Sequence, residues 1–335
     1  MKSRDKIQEL FEASNELTVK EIVDKIGISK QMVHLVVKQL QEEGKLEKLG
    51  RAPKTVYRLL SQENKSHYDL VAEAPQEYSA IQEEDKAFLD KNFLVVTETG
   101  NLLEGMEAFQ HWCRQRSLPI TKTLMEYLST KKKYEKYYDA DGMINGTEKL
   151  NNTKGYDKIW LDELYYLDFY AIERFGKTRL GTLLHYAKQG QNKFLMNIMM
   201  NAIREQMKTF LQTQGADALG FVPPTIRREV QLMKFIQTQL NAPLPVVEIK
   251  KTSGIIPVPQ KSLSKLEERI RNAENTFAVT DRRSFKHVVL IDDAVGSGST
   301  LNQIAGKMKH KGIAQKITGL AIVGSFKGFD VITDV

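Results

Sequence analysis

Residues 288–301 read VVLIDDAVGSGSTL. Four apolar residues, Val288 to Ile291, lead into the adjacent acids Asp292 and Asp293. Ala294 and Val295 follow, then Gly296, Ser297, Gly298, Ser299 and Thr300. A short apolar run that leads into paired acids and a glycine loop suits the end of a strand. The next residues, TLNQIAGKMKH, have helical spacing, so the stretch predicts strand, loop and helix in succession. In an open α/β sheet, ligands sit beyond the carboxyl ends of the strands. Glycines there let backbone N–H groups close on a phosphate at the start of a helix, and the helix dipole adds to the attraction. Two carboxylates beside such a cup would repel an anion unless they met hydroxyl groups or a divalent cation. The ligand implied is a sugar phosphate with free hydroxyls.

The rest of the chain frames that stretch. At 335 residues it exceeds the usual size of one domain. It has one cysteine, Cys113, which excludes a disulfide framework and a cysteine zinc site. The net charge of +7 permits polyanion partners. No apolar run is long enough to span a bilayer, and the charged start MKSRDKIQEL is unlike a secretory signal, so a cytoplasmic protein with no membrane partner is expected. Four regions are expected: a helical and hairpin module over 1–62, a polar linker over 63–87, a mostly helical middle segment over 88–158, and an α/β domain over 159–335. In the last region the runs LYYLDFYAI, ADALGFVPP, LPVVEIK, HVVLIDD and ITGLAIVGS alternate with helical stretches. That alternation predicts a largely parallel sheet flanked by helices.

VVLIDDAVGSGSTL resembles the phosphoribosyl-pyrophosphate (PRPP) motif of type I phosphoribosyltransferases. The resemblance implies that Asp292 and Asp293 hold the ribose hydroxyls as the catalytic acids. Residues Gly296 to Thr300 would then hold the 5′-phosphate, Ala294 and Val295 would also contact PRPP, and magnesium would enter with PRPP. PQKSLSKLEERIRNAENTFAV, from Pro259 to Val279, resembles the ComF-like branch at Gln260, Leu263, Ser264, Arg269, Asn272 and Phe277. Further PRPP ligands implied are Arg227 and Arg228 in GFVPPTIRRE, and Lys250, Lys251 and Lys261 before the motif strand. The resemblance spans about Tyr165 to the carboxyl terminus. The chain departs from the family in having Gly296 where a hydroxyl residue is usual, in lacking a cysteine zinc module, and in carrying IRREVQ where Arg-Gly-Phe-Asn-Gln is usual.

The first 62 residues carry different chemistry. Thr18 is placed to cap VKEIVDKI, which stops at Gly27, and Ser29 to cap KQMVHLVVKQLQEE, which stops at Gly44. KLEKLG and KTVYRL then read as a hairpin around GRAP. This order resembles bacterial winged helix-turn-helix regulators. The resemblance implies a homodimer on duplex DNA, with Ser29, Lys30, Gln31, His34 and Lys38 at the groove and Arg51 and Lys54 on phosphate. Purine-operon repressors join a winged helix to a phosphoribosyltransferase domain in this way. The expected function is therefore a DNA-binding regulator with PRPP or a nucleotide as effector. The alternative is an active transferase tethered to DNA or a partner, as in a defence or stress system. DADGMINGTE lacks the glutamate that a calcium loop needs, since its twelfth position is Leu150. Lys131 to Lys133 read as a solvated face, and Tyr165, Tyr166, Phe169 and Tyr170 as strand packing.

Overall fold

A computed structural model of the chain describes residues 3–14, 16–43, 45–51, 54–59, 81–224, 226, 228–252 and 276–325. They divide into two units, Met1–Ala80 and Ile81–Val335. In the first, α1 (Ser3–Ala13), β1 (Glu16–Leu17), α2 (Val19–Ile26) and α3 (Lys30–Glu42) precede the hairpin strands β2 (Leu46–Arg51) and β3 (Lys54–Leu59). Local chemistry sets these boundaries. Thr18 and Glu21 form a reciprocal capping box at the start of α2, and Gly27 ends that helix at φ 74°. The Ser29 hydroxyl accepts from the Met32 N–H at 3.3 Å and so starts α3. Ile7, Phe11, Ile22, Val33, Val37 and Leu40 are buried together as one core. Antiparallel pairing gives the strand order β1-β3-β2.

The second unit opens with α4 (Glu83–Asn92), β4 (Leu94–Val96), β5 (Leu102–Glu104), α5 (Gly105–Arg114) and α6 (Ile120–Glu135). Helix α4 begins inside the stretch 63–87 that reads as linker. Its polar sequence hides the period, but Glu83, Glu84 and Asp85 in the first turn suit a helix start. The middle segment carries short strands beside its helices: β4 and β5 form a hairpin, and β6 (Ile144–Asn145) joins the main sheet. Cys113 is buried on α5, as packing predicts. Lys132 and Lys133 are exposed, and Lys133 pairs with Glu173 at 2.6 Å, whereas Lys131 is half-buried.

After β6 come α7 (Thr147–Asn151), β7 (Glu163–Phe169), β8 (Ala171–Ile172), β9 (Gly176–Lys177), α8 (Arg179–Gln189), α9 (Lys193–Thr213) and β10 (Ala218–Phe221). The chain closes with α10 (Leu232–Leu240), β11 (Ile249–Lys251), β12 (Phe277–Val279), β13 (Phe285–Val295), α11 (Ser299–His310) and β14 (Ala314–Gly324). The main sheet runs β10-β13-β14-β7-β6, parallel except for β6. An isolated parallel bridge from Leu219 to Val246 extends it beyond β10.

Val288 to Ile291 lie at the centre of β13 with no exposed surface, each stabilising the fold by roughly 1.5–3 kcal/mol. Val289 and Ile291 join the core made with α8, α9 and α10, where Met196, Met199, Met200, Ile203 and Met207 supply one helical face. On the other face Leu290 and Met308 approach Gly220, while Leu301 approaches Gly319. The sheet is therefore covered by α8–α10 on one side and α11 on the other. Tyr166, Phe169 and Tyr170 are buried, consistent with strand packing. Among the described residues, no helix is long and apolar enough to cross a membrane.

Candidate functional site

Strand β10 has the Val246 bridge on one side and β13 on the other. The chain leaves β10 for α10 and the bridge, whereas β13 continues through α11 to β14. Connections thus diverge between the carboxyl ends of β10 and β13, which makes that gap a topological switch point and the favoured place for a ligand. Asp292 and Asp293 stand at the end of β13, with Ala294 and Val295 still paired to β14. Gly296, Ser297 and Gly298 form the loop, while Ser299 and Thr300 open α11.

The adjacent aspartates do not meet the same neighbours. Side chains alternate along a strand, so Asp293 shares the face of Val289 and Ile291, towards α8. There Lys188 Nζ donates to Asp293 Oδ2 at 2.6 Å, and the side chains of the pair are only 14% and 12% exposed. Asp292 shares the face of Leu290 and accepts from the Asp293 N–H at 2.8 Å through Oδ1. One acid is thus tied to a helix lysine, and the other sits on the α11 side of the strand.

The loop is held by its own side chains and by neighbours. Ser297 Oγ accepts from the Ser299 N–H at 3.3 Å and donates to the Ser299 hydroxyl at 3.1 Å. The Tyr156 hydroxyl donates to the Ser297 carbonyl at 2.9 Å. Gly298 has φ +83°, and a Cβ there would meet Leu150 Cδ1 of α7 at 2.9 Å. A side chain at 298 would suffer both backbone strain and collision. Beside the loop, Lys149, Gly296, Ser297 and Ser325 line a small recess. Lys149 Nζ donates to the Ser325 carbonyl, and burial pushes its ammonium down to about 8. A desolvated lysine at a glycine loop favours a neighbouring anion.

The other sequence-derived ligands are dispersed. Arg228 is half-buried and donates to Gln189 Oε1 at 3.1 Å. Gln189 follows Lys188 on α8, so one helix end engages both the loop after β10 and Asp293. Lys250 is exposed on β11 and pairs with Glu248 at 2.8 Å, and Lys251 is half-buried opposite Phe277 of β12. Arg227 and Lys261 lie outside the described residues. Lys188, Lys149 and Tyr156 were not signalled by sequence, because no local pattern links them to residues 288–301. Among the described residues, no cluster of three or more His, Cys, Asp or Glu suits a metal ion.

In the amino-terminal unit, Lys30, Gln31, His34 and Lys38 are all exposed on α3, opposite buried Val33, Val36, Val37 and Leu40. Met32 and Leu35 are also exposed on α3. Ser29 is occupied as the helix cap. By backbone register Arg51 stands opposite Lys54 at the end of the β2–β3 ladder. No protein-family model matches the chain, and comparison with curated proteins finds no match.

Proposed function

We propose that the protein is a DNA-binding regulator whose carboxyl-terminal unit has a type I phosphoribosyltransferase-like fold and binds PRPP or a nucleotide as its effector. The observation that carries this reading is the placement of Asp292 and the Gly296–Thr300 segment at the switch point between β10 and β13. Asp292 takes a ribose hydroxyl, and the loop N–H groups with the start of α11 take the 5′-phosphate. Magnesium is carried in by PRPP. Lys149 adds charge from the far side of the loop. The Lys188 pair commits Asp293 to its own chain, which favours holding a ligand over turning it over.

The amino-terminal unit is, in this reading, a winged helix-turn-helix that binds duplex DNA as a homodimer. Support comes from the two capped helices, the following hairpin and the exposed basic and polar face of α3. Lys30, Gln31, His34 and Lys38 meet base edges, while Arg51 and Lys54 meet phosphate.

Effector and DNA then alter each other's affinity by one common factor, since linkage is reciprocal. A coupling of about 1–3 kcal/mol corresponds to roughly five- to 150-fold. The test is a DNA titration with and without saturating Mg-PRPP, beside an assay for pyrophosphate release with a panel of bases. A shifted DNA curve without release is the expected result. Identical curves with measurable release would establish a tethered transferase instead.

A further inference from the structure

Away from the phosphate loop, a cleft of ≈ 340 Å³ opens between segment 155–160 and α11. Its helical wall is the stripe Gln303, Gly306, Lys307 and His310, whose spacing places these residues on one face. The volume lies at the small end of the range for small-molecule sites, roughly 300–1,000 Å³. The cleft is set back from the loop along α11: Gln303, its first helical residue, is five residues past Gly298, roughly 7.5 Å at 1.5 Å per residue, while Tyr156 borders both.

Trp160 is the centre of this cleft, and its place is fixed by backbone. Buried Asn302 accepts from the N–H groups of Trp160 and Leu161 at 2.6 and 3.2 Å, and donates to the Lys158 carbonyl at 3.0 Å. The indole lies against Gly306, where a Cβ would come within 2.8 Å of the ring. The His310 ring meets it edge-on, with centroids 4.3 Å apart. Yet Trp160 remains half-exposed, and Lys158 Nζ stands 3.8 Å from its centroid. The ammonium covers the ring face that a stacking partner would take. Lys307 lies on the opposite wall and donates to the Phe277 carbonyl.

The geometry points to a second ligand site in this cleft, one that takes a nucleoside monophosphate. The base stacks on Trp160 in place of the Lys158 ammonium, which moves with Lys307 to the phosphate. An aliphatic anion would leave the indole face unused, and an oligonucleotide would exceed the volume. Preorganisation by Asn302 and Gly306 lowers the ordering cost of binding. Tyr156 lines this cleft and also donates to the Ser297 carbonyl, so the cleft and the phosphate loop share that residue.

The test is calorimetric titration of the full chain with adenosine 5′-monophosphate, with circular dichroism to verify each variant's fold. Lys158→Ala, an exposed position, should weaken binding about tenfold, and Trp160→Leu more than that. Trp160→Phe should restore most of the affinity, and Asp292→Asn should leave it unchanged. Adenosine and ribose 5-phosphate should each bind at least about tenfold more weakly than the monophosphate. The proposal is overturned if the wild-type chain does not bind, or if Lys158→Ala and Trp160→Leu bind as well as wild type. It is also overturned if Asp292→Asn abolishes binding, which would place the nucleotide at the phosphate loop.

Discussion

The two ends of β13 use acidic side chains in opposite ways. At the amino end, the Asp217 carboxylate accepts from the N–H groups of Lys286 and His287, both at 2.9 Å. The His287 ring lies between the Gln214 carbonyl and the Thr318 hydroxyl, each at 2.8 Å. Asp162 accepts from the Ile317 N–H at 2.7 Å and from Lys309 at 2.6 Å. These acids close the sheet edge on itself by satisfying its backbone donors. At the carboxyl end, Asp293 is matched by Lys188, and Lys149 is buried beside a glycine loop. Charge is concentrated there around a loop rather than spent on strand ends. The difference marks the carboxyl end as the end built for a ligand.

The sharpest way to break this comparison is to separate the two aspartates. Asp293→Asn leaves the largely buried Lys188 ammonium without its carboxylate, and should cost about 3 kcal/mol of stability. Lys188→Met in the same chain should recover part of that loss; a chemical denaturation cycle of the four proteins measures both. Asp292→Asn should leave the unfolding midpoint near wild type but weaken Mg-PRPP by about 2–3 kcal/mol, measured by calorimetry. If the two substitutions instead gave the same profile, the acids would share one role.

The division between the aspartates shows what sequence could reveal. Val288 to Ser299 were legible because strand, acids, loop and helix follow one another without a gap, and each local preference agrees with the next. The caps Thr18 and Ser29 were legible for the same reason. Lys188 was not: it lies 105 residues before Asp293, and only the packing of α8 on the sheet brings them together. Lys149 sits on a five-residue helix and Tyr156 in a loop, with no periodic pattern to announce either. Strand β6 has two residues, too few for any alternation to emerge. The first turn of α4, within the stretch that reads as linker, escaped because its exposed charges mask the period around the buried Leu89.

The ends should also differ in their response to pH. Burial lowers His287 below its ordinary 6.5, so the unfolded chain takes up a proton first as pH falls through that value. Stability from this end is therefore lost below about pH 6.5, and His287→Gln should flatten that limb of the stability profile. Lys149 is held near 8, against 10.5 unfolded. Between about pH 8 and 10.5 the unfolded chain binds the extra proton, so stability rises with pH across that window. An anion at the loop reverses the preference and draws the proton back. Mg-PRPP binding near pH 8–9 should thus take up protons, read by calorimetry in buffers of different ionisation enthalpy. Lys149→Met should remove the uptake, while His287→Gln should leave it unchanged.

The smallest expected effects lie in the amino-terminal unit, where neighbouring residues on α3 carry separable tasks. The Ser29 hydroxyl is engaged by the Met32 N–H, so Ser29→Ala should destabilise the helix start by about 1 kcal/mol. Amide exchange in the first turn of α3 should quicken accordingly. Its effect on DNA should be uniform across sequences, because a looser helix weakens every base contact together. Gln31 is exposed and lies on the polar side of the same helix. Gln31→Ala should leave exchange unchanged and relax discrimination at one base pair by about 1–3 kcal/mol, measured by selection from a randomised duplex library. A broad loss of affinity from Gln31→Ala, or altered base preference from Ser29→Ala, would exchange the roles of cap and reader and move the groove-facing surface towards the amino end of α3.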